Sequence, residues 1–430
     1  ETSDGGYIVG GYFRRSSIDL GTGISLRNKG NDDGMIIKYN ARGEVEWAEG
    51  IGETGSDSIN TVADTSDGGY IVGGYFESSS IDLGTGISLT NKGSSDGMII
   101  KYNENGEVEW AEGIGETGSD SINTVADTSD GGYIVGGYFR SSSIDLGNQI
   151  SLTNKGNDDG MVIKYSSEGE AEWAEGIGGS DYDYIESVLE TSDGGYIVGG
   201  YFRRSSIDLG TGISLTNKGS NDGMVIKFDK VELPNPTVIQ AKGIGGTEND
   251  YINSVAETSD GGYIAGGYFN SISIDLGNGI ILTNKGGSTT YSAGMIIKYN
   301  ANGEAEWAKE IGGTDSDKIN SVAETRDGGY LVGGYFKSSS IDLGNGVNLT
   351  NKGIGYSDGM IIKYSSDGEI EWAKGIGGTN IDQINSVAET SDGGYIIGGN
   401  FESNSIDLGN GISLNNKGSS DGMIIKYSAN

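Results

Sequence analysis

One phrase returns seven times in this chain. ETSDGGYIVGGYF begins at Glu1, and its copies begin at residues 64, 127, 190, 257, 324 and 389, at spacings of 63, 63, 63, 67, 67 and 65. Such regularity requires each copy to fold into the same small unit and the units to pack on one another. The period is too long for helical-pair repeats and suits a four-stranded propeller blade with one enlarged loop.

The second copy shows the parts. INTVADT from Ile59 alternates inward and outward, turns through Asp67-Gly68-Gly69, and continues as YIVGGYF, two strands joined where Asp-Gly tolerates positive φ. After Phe76 comes an excursion in which SIDLG and ISL read as a small hairpin about Gly84-Thr85-Gly86. GMIIKYN then turns at Asn103-Glu104-Asn105-Gly106 into EVEWAEGIG. The four principal strands are called A (INTVAD), B (YIVGGYF), C (GMIIKYN) and D (EVEWAEG). Apolar residues recur at two-residue spacing and glycines interrupt every longer window, so no helix is expected. A lone four-stranded sheet cannot cover both faces, so neighbouring copies must stack and bury Ile, Val, Tyr, Met and Trp. Gly-Gly inside strand B fits a place where another backbone approaches closely.

These residues resemble known families. A polar strand, a strand ending in Gly-Gly, a strand ending in Tyr and a Trp strand look like the kelch type of β-propeller. The whole phrase DGGYIVGGYF, SIDLG, DGMIIKYNENGEVEWAKGIGG is still more similar to the bacterial seven-bladed propeller repeat of secreted and surface proteins. The resemblance covers essentially all of the chain. It implies an all-β disc of seven four-stranded antiparallel blades around a central channel, an extracellular or cell-surface setting, and a scaffold whose loops bind. It carries over no catalytic residue.

Residues 1–430 thus read as a single propeller of seven repeats, 1–63, 64–126, 127–189, 190–256, 257–323, 324–388 and 389–430. Strand A is seen only from the second copy and strand D only in the first six, so the chain reads as a segment of a longer one. Between copies 4 and 5 the Trp strand gives way to FDKVELPNPTVIQAKGIGG, which holds Pro234 and Pro236. Proline is tolerated on an exposed outer strand.

Composition narrows the chemistry. Sixty-two acidic against 28 basic side chains give a net charge of −34, a field that repels nucleic acid and anionic membranes. There is no Cys and no His, hence no disulfide, no thiolate or imidazole zinc ligand, and not the commonest general base. No run of about 18 apolar residues is present, so no helical membrane span is expected.

Two sets of residues are candidate sites. Tyr182, Tyr184, Tyr251, Tyr291 and Tyr356 fall outside the repeated packing pattern, flanked by polar residues, and suit a sugar or a protein partner. Asp57, Asp120, Asp183, Asp250, Asp317 and Asp382 stand two residues before the strand A Ile. Two further acidic series lie in SIDLG (Asp19, Asp82 and their copies) and before Gly-Met (Asp33, Asp96, Asp159, Asp222, Asp358, Asp421, with Ala293 in copy 5). Calcium is the chemically sensible ligand for such carboxylates on glycine-rich loops. No EF-hand loop is present, however, and Asp also caps turns through backbone amides. The strand C lysines (Lys38, Lys101 and their copies) are expected to snorkel or to pair with one of these acids. The arginine pairs Arg14-Arg15 and Arg203-Arg204 are basic spots on an acidic surface.

The sequence therefore predicts a non-catalytic extracellular or cell-surface scaffold that binds a glycan or protein through its loop faces, with no cofactor beyond possible calcium. The alternatives are a self-assembling subunit of a surface layer or filament and, third, a carboxylate-dependent glycosidase or lyase.

Overall fold

The structure is a computed structural model that describes residues 1–21, 23–210, 212–230 and 236–429. Among them every regular element is a strand. Seven antiparallel sheets follow one another along the chain, and the fold is of the seven-bladed β-propeller class that the repeat predicts. Five sheets have four strands in the order A-B-C-D, as in Asp57–Asp64, Tyr70–Phe76, Asp96–Tyr102 and Val108–Ile114. The first (Tyr7–Phe13, Asp33–Tyr39, Val45–Ile51) has B, C and D; the last (Asp382–Glu389, Tyr395–Phe401, Asp421–Tyr427) has A, B and C. The chain divides into two compact units, Glu1–Val198 with Ser205–Leu215 and Ile226–Ile239, and Gly199–Arg204 with Thr216–Val225 and Gln240–Asn430.

In the first unit, the register of blade 2 sets Tyr70 against Asp64 and Tyr102, and Phe76 against Asp57 and Asp96. A, B and C therefore share one end where A begins, B ends and C begins. Between B and C a two-stranded sheet pairs Ser80–Asp82 with Ser88–Thr90 and buries Ile81 and Leu89. Asp82 accepts the Gly84 N–H at 2.9 Å, which makes the SIDLG acids turn formers.

Blades lock together through strand A of the next copy. A Cβ on Gly73 would lie 2.5 Å from Ile122 Cγ2 and 2.8 Å from Val125 Cγ1, so the bare glycine is what admits the neighbour's Ile and Val. Strand A also carries a bulge at Asn60, whose Nδ2 donates to the Ile122 carbonyl at 2.9 Å. Asn123 repeats this on Ile185 at 3.1 Å. Trp110 packs on Tyr133, ring centroids 5.7 Å apart, and donates its N–H to the Ser167 carbonyl at 3.0 Å.

The second unit uses the same devices. Gly266 faces Val322 and Ile319, Asn253 donates to the Ile319 carbonyl at 2.7 Å, and Trp307 packs on Tyr330 at 5.6 Å. In the strand Val238–Ile244, Gln240 stands where other copies have Trp, donating to the Asn302 carbonyl and lying beside the Tyr263 hydroxyl. Pro236 precedes that strand, and Pro234 lies outside the described residues.

Candidate functional site

The repeats are most alike in the strand interiors and least alike where A begins. The second residue of strand A is Ser58, Ser121, Tyr184, Tyr251, Lys318 and Gln383 in blades 2 to 7, while the Ile that follows never changes. Register places this residue opposite the penultimate residue of strand B: Ser58 on Tyr75, Ser121 on Tyr138, Tyr251 on Tyr268, Lys318 on Tyr335, Gln383 on Asn400. Within each unit this forms a row of polar and aromatic side chains at the end of the sheets where A begins, Ser58 and Ser121 buried and Tyr184, Tyr251, Lys318 and Gln383 half-buried.

In the first unit Tyr184 packs on Tyr138, with ring centroids 4.3 Å apart, and its hydroxyl donates to Asp158. Arg140 forks onto the same buried carboxylate, Nε to Oδ1 at 2.7 Å and Nη2 to Oδ2 at 3.0 Å. Burial, then the bond to Asp158, pushes the Tyr184 phenol up, so it stays a neutral donor. Tyr182 bridges to Asp158 through the backbone.

In the second unit Tyr251 meets Tyr201 edge-on and stacks on Tyr268, both at 4.6 Å, and its hydroxyl bonds to the Asn221 side chain. Lys318 Nζ stands 3.8 Å from the Tyr268 ring centroid. The structure thus corrects the reading that Tyr184 and Tyr251 fall outside the packing pattern: they are strand A residues packed on Tyr138 and on Tyr201 and Tyr268. Tyr291 and Tyr356 are exposed, each on its own loop two residues before strand C. Tyr138, Tyr201 and Tyr268 were missed in the sequence because they belong to the recurrent pattern, and Arg140, Asp158 and Lys318 because only register brings them to these rings. The column Ser, Ser, Tyr, Tyr, Lys, Gln in strand A was the available signal.

The candidate calcium ligands are fully buried at the first position of strand A. Asp57 accepts from Glu77 N (3.0 Å), Ser78 N (3.1 Å), Ser78 Oγ (2.6 Å) and Glu53 N (3.2 Å). Asp120, Asp250, Asp317 and Asp382 repeat the Ser contact with Ser141, Ser271, Ser338 and Ser403, and Asp183 accepts the Gly179 N–H. N–H and O–H groups present positive ends to an anion, so this donor set does not fit calcium, which needs oxygen lone pairs. Among the described residues no three acidic groups converge. These carboxylates staple the B-to-C loop to strand A.

Beside them stands the second acid. In blades 1, 2, 3, 4 and 6, Asp33, Asp96, Asp159, Asp222 and Asp358 each accept one backbone N–H at Oδ2 and leave a buried Oδ1 without a donor. A Cβ on Gly115 would lie 2.6 Å from Asp120 Oδ2 and 2.7 Å from Asp96 Oδ1, so both acids crowd the same glycine. In blade 5, where Ala293 replaces this Asp, Glu310 stands in a position that is Gly in the other D strands and brings its carboxylate from there. A Cβ on the matching Gly312 would lie 3.0 Å from Glu310 Oε1 and 3.2 Å from Asp317 Oδ2, and Lys285 Nζ meets Glu310 at 2.8 Å.

Burial foremost, then the neighbouring acid, pushes Asp222 and Asp358 up to about 6. Burial raises Glu186, which takes the bulge position of blade 4, to about 7. These groups bind protons more tightly folded than unfolded, so their contribution is greatest below pH 4 and falls away as pH rises through 6 to 7. The turn acids Asp4, Asp67, Asp193, Asp260 and Asp327 behave oppositely: hydrogen bonds from Thr, Gly N–H and Lys overcome desolvation and hold them at about 2. Their contribution is present above pH 4 and lost toward pH 2. Thermal unfolding between pH 3 and 8 is therefore expected to show a maximum near pH 5, with each buried acid costing on the order of 1 kcal/mol or more by pH 8. A midpoint that keeps rising to pH 8 would contradict this account.

The strand C lysines pair with acids, but not with those expected. Lys101 Nζ, in a side chain 1% exposed, meets Asp67 and Glu109, both at 2.9 Å, and donates to the Tyr102 carbonyl at 3.0 Å. Asp67 belongs to the Asp-Gly-Gly turn, outside all three acidic series. Asp4, Asp130, Asp193, Asp260, Asp327 and Asp392 do the same in the other copies. Arg14 of the first arginine pair forks onto Asp32.

No family model matches the chain. It is 23% identical to an uncharacterized WD repeat-containing protein of Acanthamoeba polyphaga mimivirus, over 99% of this chain and 37% of that protein. It is 24% identical to the regulatory protein FlaEY of Caulobacter vibrioides, over 71% of this chain and 33% of that protein. The chain thus spans about a third of the length of the curated relatives it matches. Among solved structures, Sqt1 from Chaetomium thermophilum aligns over 99% of this chain and 93% of its own, at 10% identity and a TM-score of 0.42. One of the two curated relatives is named for WD repeats, and neither is named for the kelch type that the repeat resembles.

Proposed function

We propose that the chain is a non-catalytic binding scaffold that holds a protein partner on the row where strand A begins. One observation carries the reading. Blades whose strand interiors repeat closely change chemical class at the second position of strand A, and Tyr184, Tyr251 and Lys318 there meet rings of the neighbouring strands. A repeat array that keeps its frame while the side chains at one end of its strands vary suits recognition. Tyr and Arg, both present at this end of the sheets, are also residue types that dominate protein hot spots. The rings stack on one another and present edges and hydroxyls, which suits hydrogen-bonding side chains better than the flat face of a sugar. An extracellular setting belongs to the proposal on composition alone, since dispersed acidic charge resists aggregation.

The test uses residues the chain already tolerates. Tyr184→Ser and Tyr251→Ser restore what blades 2 and 3 carry, Ser58 and Ser121. Peptides selected from a displayed library are expected to lose about tenfold or more in affinity on Tyr251→Ser, while the thermal midpoint moves by a few degrees at most. Binding indifferent to both substitutions would reject the row as the site. Tyrosine-dependent hits on a glycan array alone would move the reading to glycans.

A further inference from the structure

Lys318 differs from the other cations described above. The strand C lysines each meet the Asp of their turn, and five of them also a Glu. Arg14 and Arg140 each fork onto an Asp. Lys318 sits in the variable row with its Nζ over the Tyr268 ring and Tyr335 opposite in register. Among the described residues no carboxylate oxygen lies within 4.0 Å of it. Its sequence neighbour Asp317 is committed to Gly313 N, Lys337 N, Ser338 N and Ser338 Oγ. No acid among the described residues neutralises the Lys318 ammonium at that distance, although the chain has 62 acids and 28 bases.

Its surroundings limit what such an ammonium can take. Lys318 is half-buried, and burial lowers its affinity for its own proton. A partly desolvated ammonium resting on a ring face still has N–H donors to offer, and a carboxylate is the acceptor that gains most from them. The surrounding field limits the rest of the ligand. At a net charge of −34 a polyanion is repelled at long range, whereas a single carboxylate on a neutral or basic body is not. Beside the cation, Tyr268 stacks on Tyr251 and Tyr251 meets Tyr201, giving ring edges and hydroxyls for the neighbouring part of the ligand.

We infer that the partner docks one carboxylate side chain on Lys318, presented by a peptide segment that is otherwise neutral or basic and lies along Tyr268, Tyr251 and Tyr201. This rests on the protein-binding reading above and names the recognition element it requires.

The probes are a fluorescent peptide with one central Glu among Gly, Ser, Lys and Tyr, its Gln counterpart, and a polygalacturonate oligomer. Each is titrated by anisotropy onto the full chain, onto Lys318→Gln, the residue blade 7 uses at this position, and onto Lys318→Arg. The Glu peptide is expected to bind about tenfold tighter than the Gln peptide, with the difference abolished by Lys318→Gln and largely kept by Lys318→Arg. Equal binding of the two peptides, no binding of either, or preference for polygalacturonate overturns the inference. The two readings separate on Tyr251→Ser. Binding that needs Tyr251 but ignores Lys318 leaves the protein-binding row standing and removes the carboxylate. Binding that needs Lys318 but ignores Tyr251 keeps the carboxylate and removes the aromatic row. Lys318→Gln is checked for an unchanged thermal midpoint, so that loss of binding is not loss of fold.

Discussion

Gly267→Ala is expected to leave no folded blade 5. A Cβ at this second glycine of strand B would fall well inside contact distance of the Tyr251 carbonyl oxygen, and backbone held in a ladder cannot retreat as a side chain can. The loss should exceed about 4 kcal/mol, enough to remove the protein from the soluble fraction. The first glycine should be less severe. Gly73→Ala meets Ile122 and Val125 side chains, which can shift at a cost of about 1–3 kcal/mol. Gly398, the same position in blade 7, has nothing within 4 Å of its Cβ site. Gly398→Ala should therefore change the urea midpoint little, by less than about 0.5 kcal/mol. The order Gly267, Gly73, Gly398 is the test. Equal costs at Gly398 and Gly73 would mean that strand A of a following copy is not what makes these glycines necessary.

Lys101→Met is expected to cost about 2–4 kcal/mol. The substitution keeps the apolar stem but leaves the buried Tyr102 carbonyl without its donor and sets Asp67 and Glu109 against each other. Both carboxylates are about half exposed, which keeps the figure below that of a fully buried pair. Lys227→Met provides the internal comparison. Lys227 is more open, at 13%, and among the described residues meets Asp193 alone, because Ile239 stands where other copies place the Glu. It should cost no more than about half as much. Denaturant midpoints for the two variants measure this directly, and equal losses would show that the second carboxylate contributes nothing.

The frame was legible in the sequence because it depends on spacing. Period, strand alternation, turn glycines and a Trp at a fixed place define four strands per copy, and the absence of A from the first copy and D from the last reappears as three-stranded sheets. The chemistry that depends on register was not legible. Lys101 and Asp67 are 34 residues apart and meet only because strand B runs back beside strand C. Tyr184 and Tyr251 read as approaches to strand A outside the packing, yet they are the second residues of that strand and pack on other rings. The acids before the strand A Ile looked like cation ligands because sequence shows the carboxylates and hides the amide and hydroxyl hydrogens that surround them.

Ala293 was visible as a lapse in an otherwise steady column; Glu310, on another strand, answers it. Homogenising the array toward its consensus would therefore fail at this blade if done one residue at a time. Restoring only the aspartate at 293 would force a third acid into a space shaped for two, and restoring only the glycine at 310 would leave Lys285 facing nothing. Blade 5 can be brought back to the common plan only by a paired exchange, and its copies are less interchangeable than their spelling suggests.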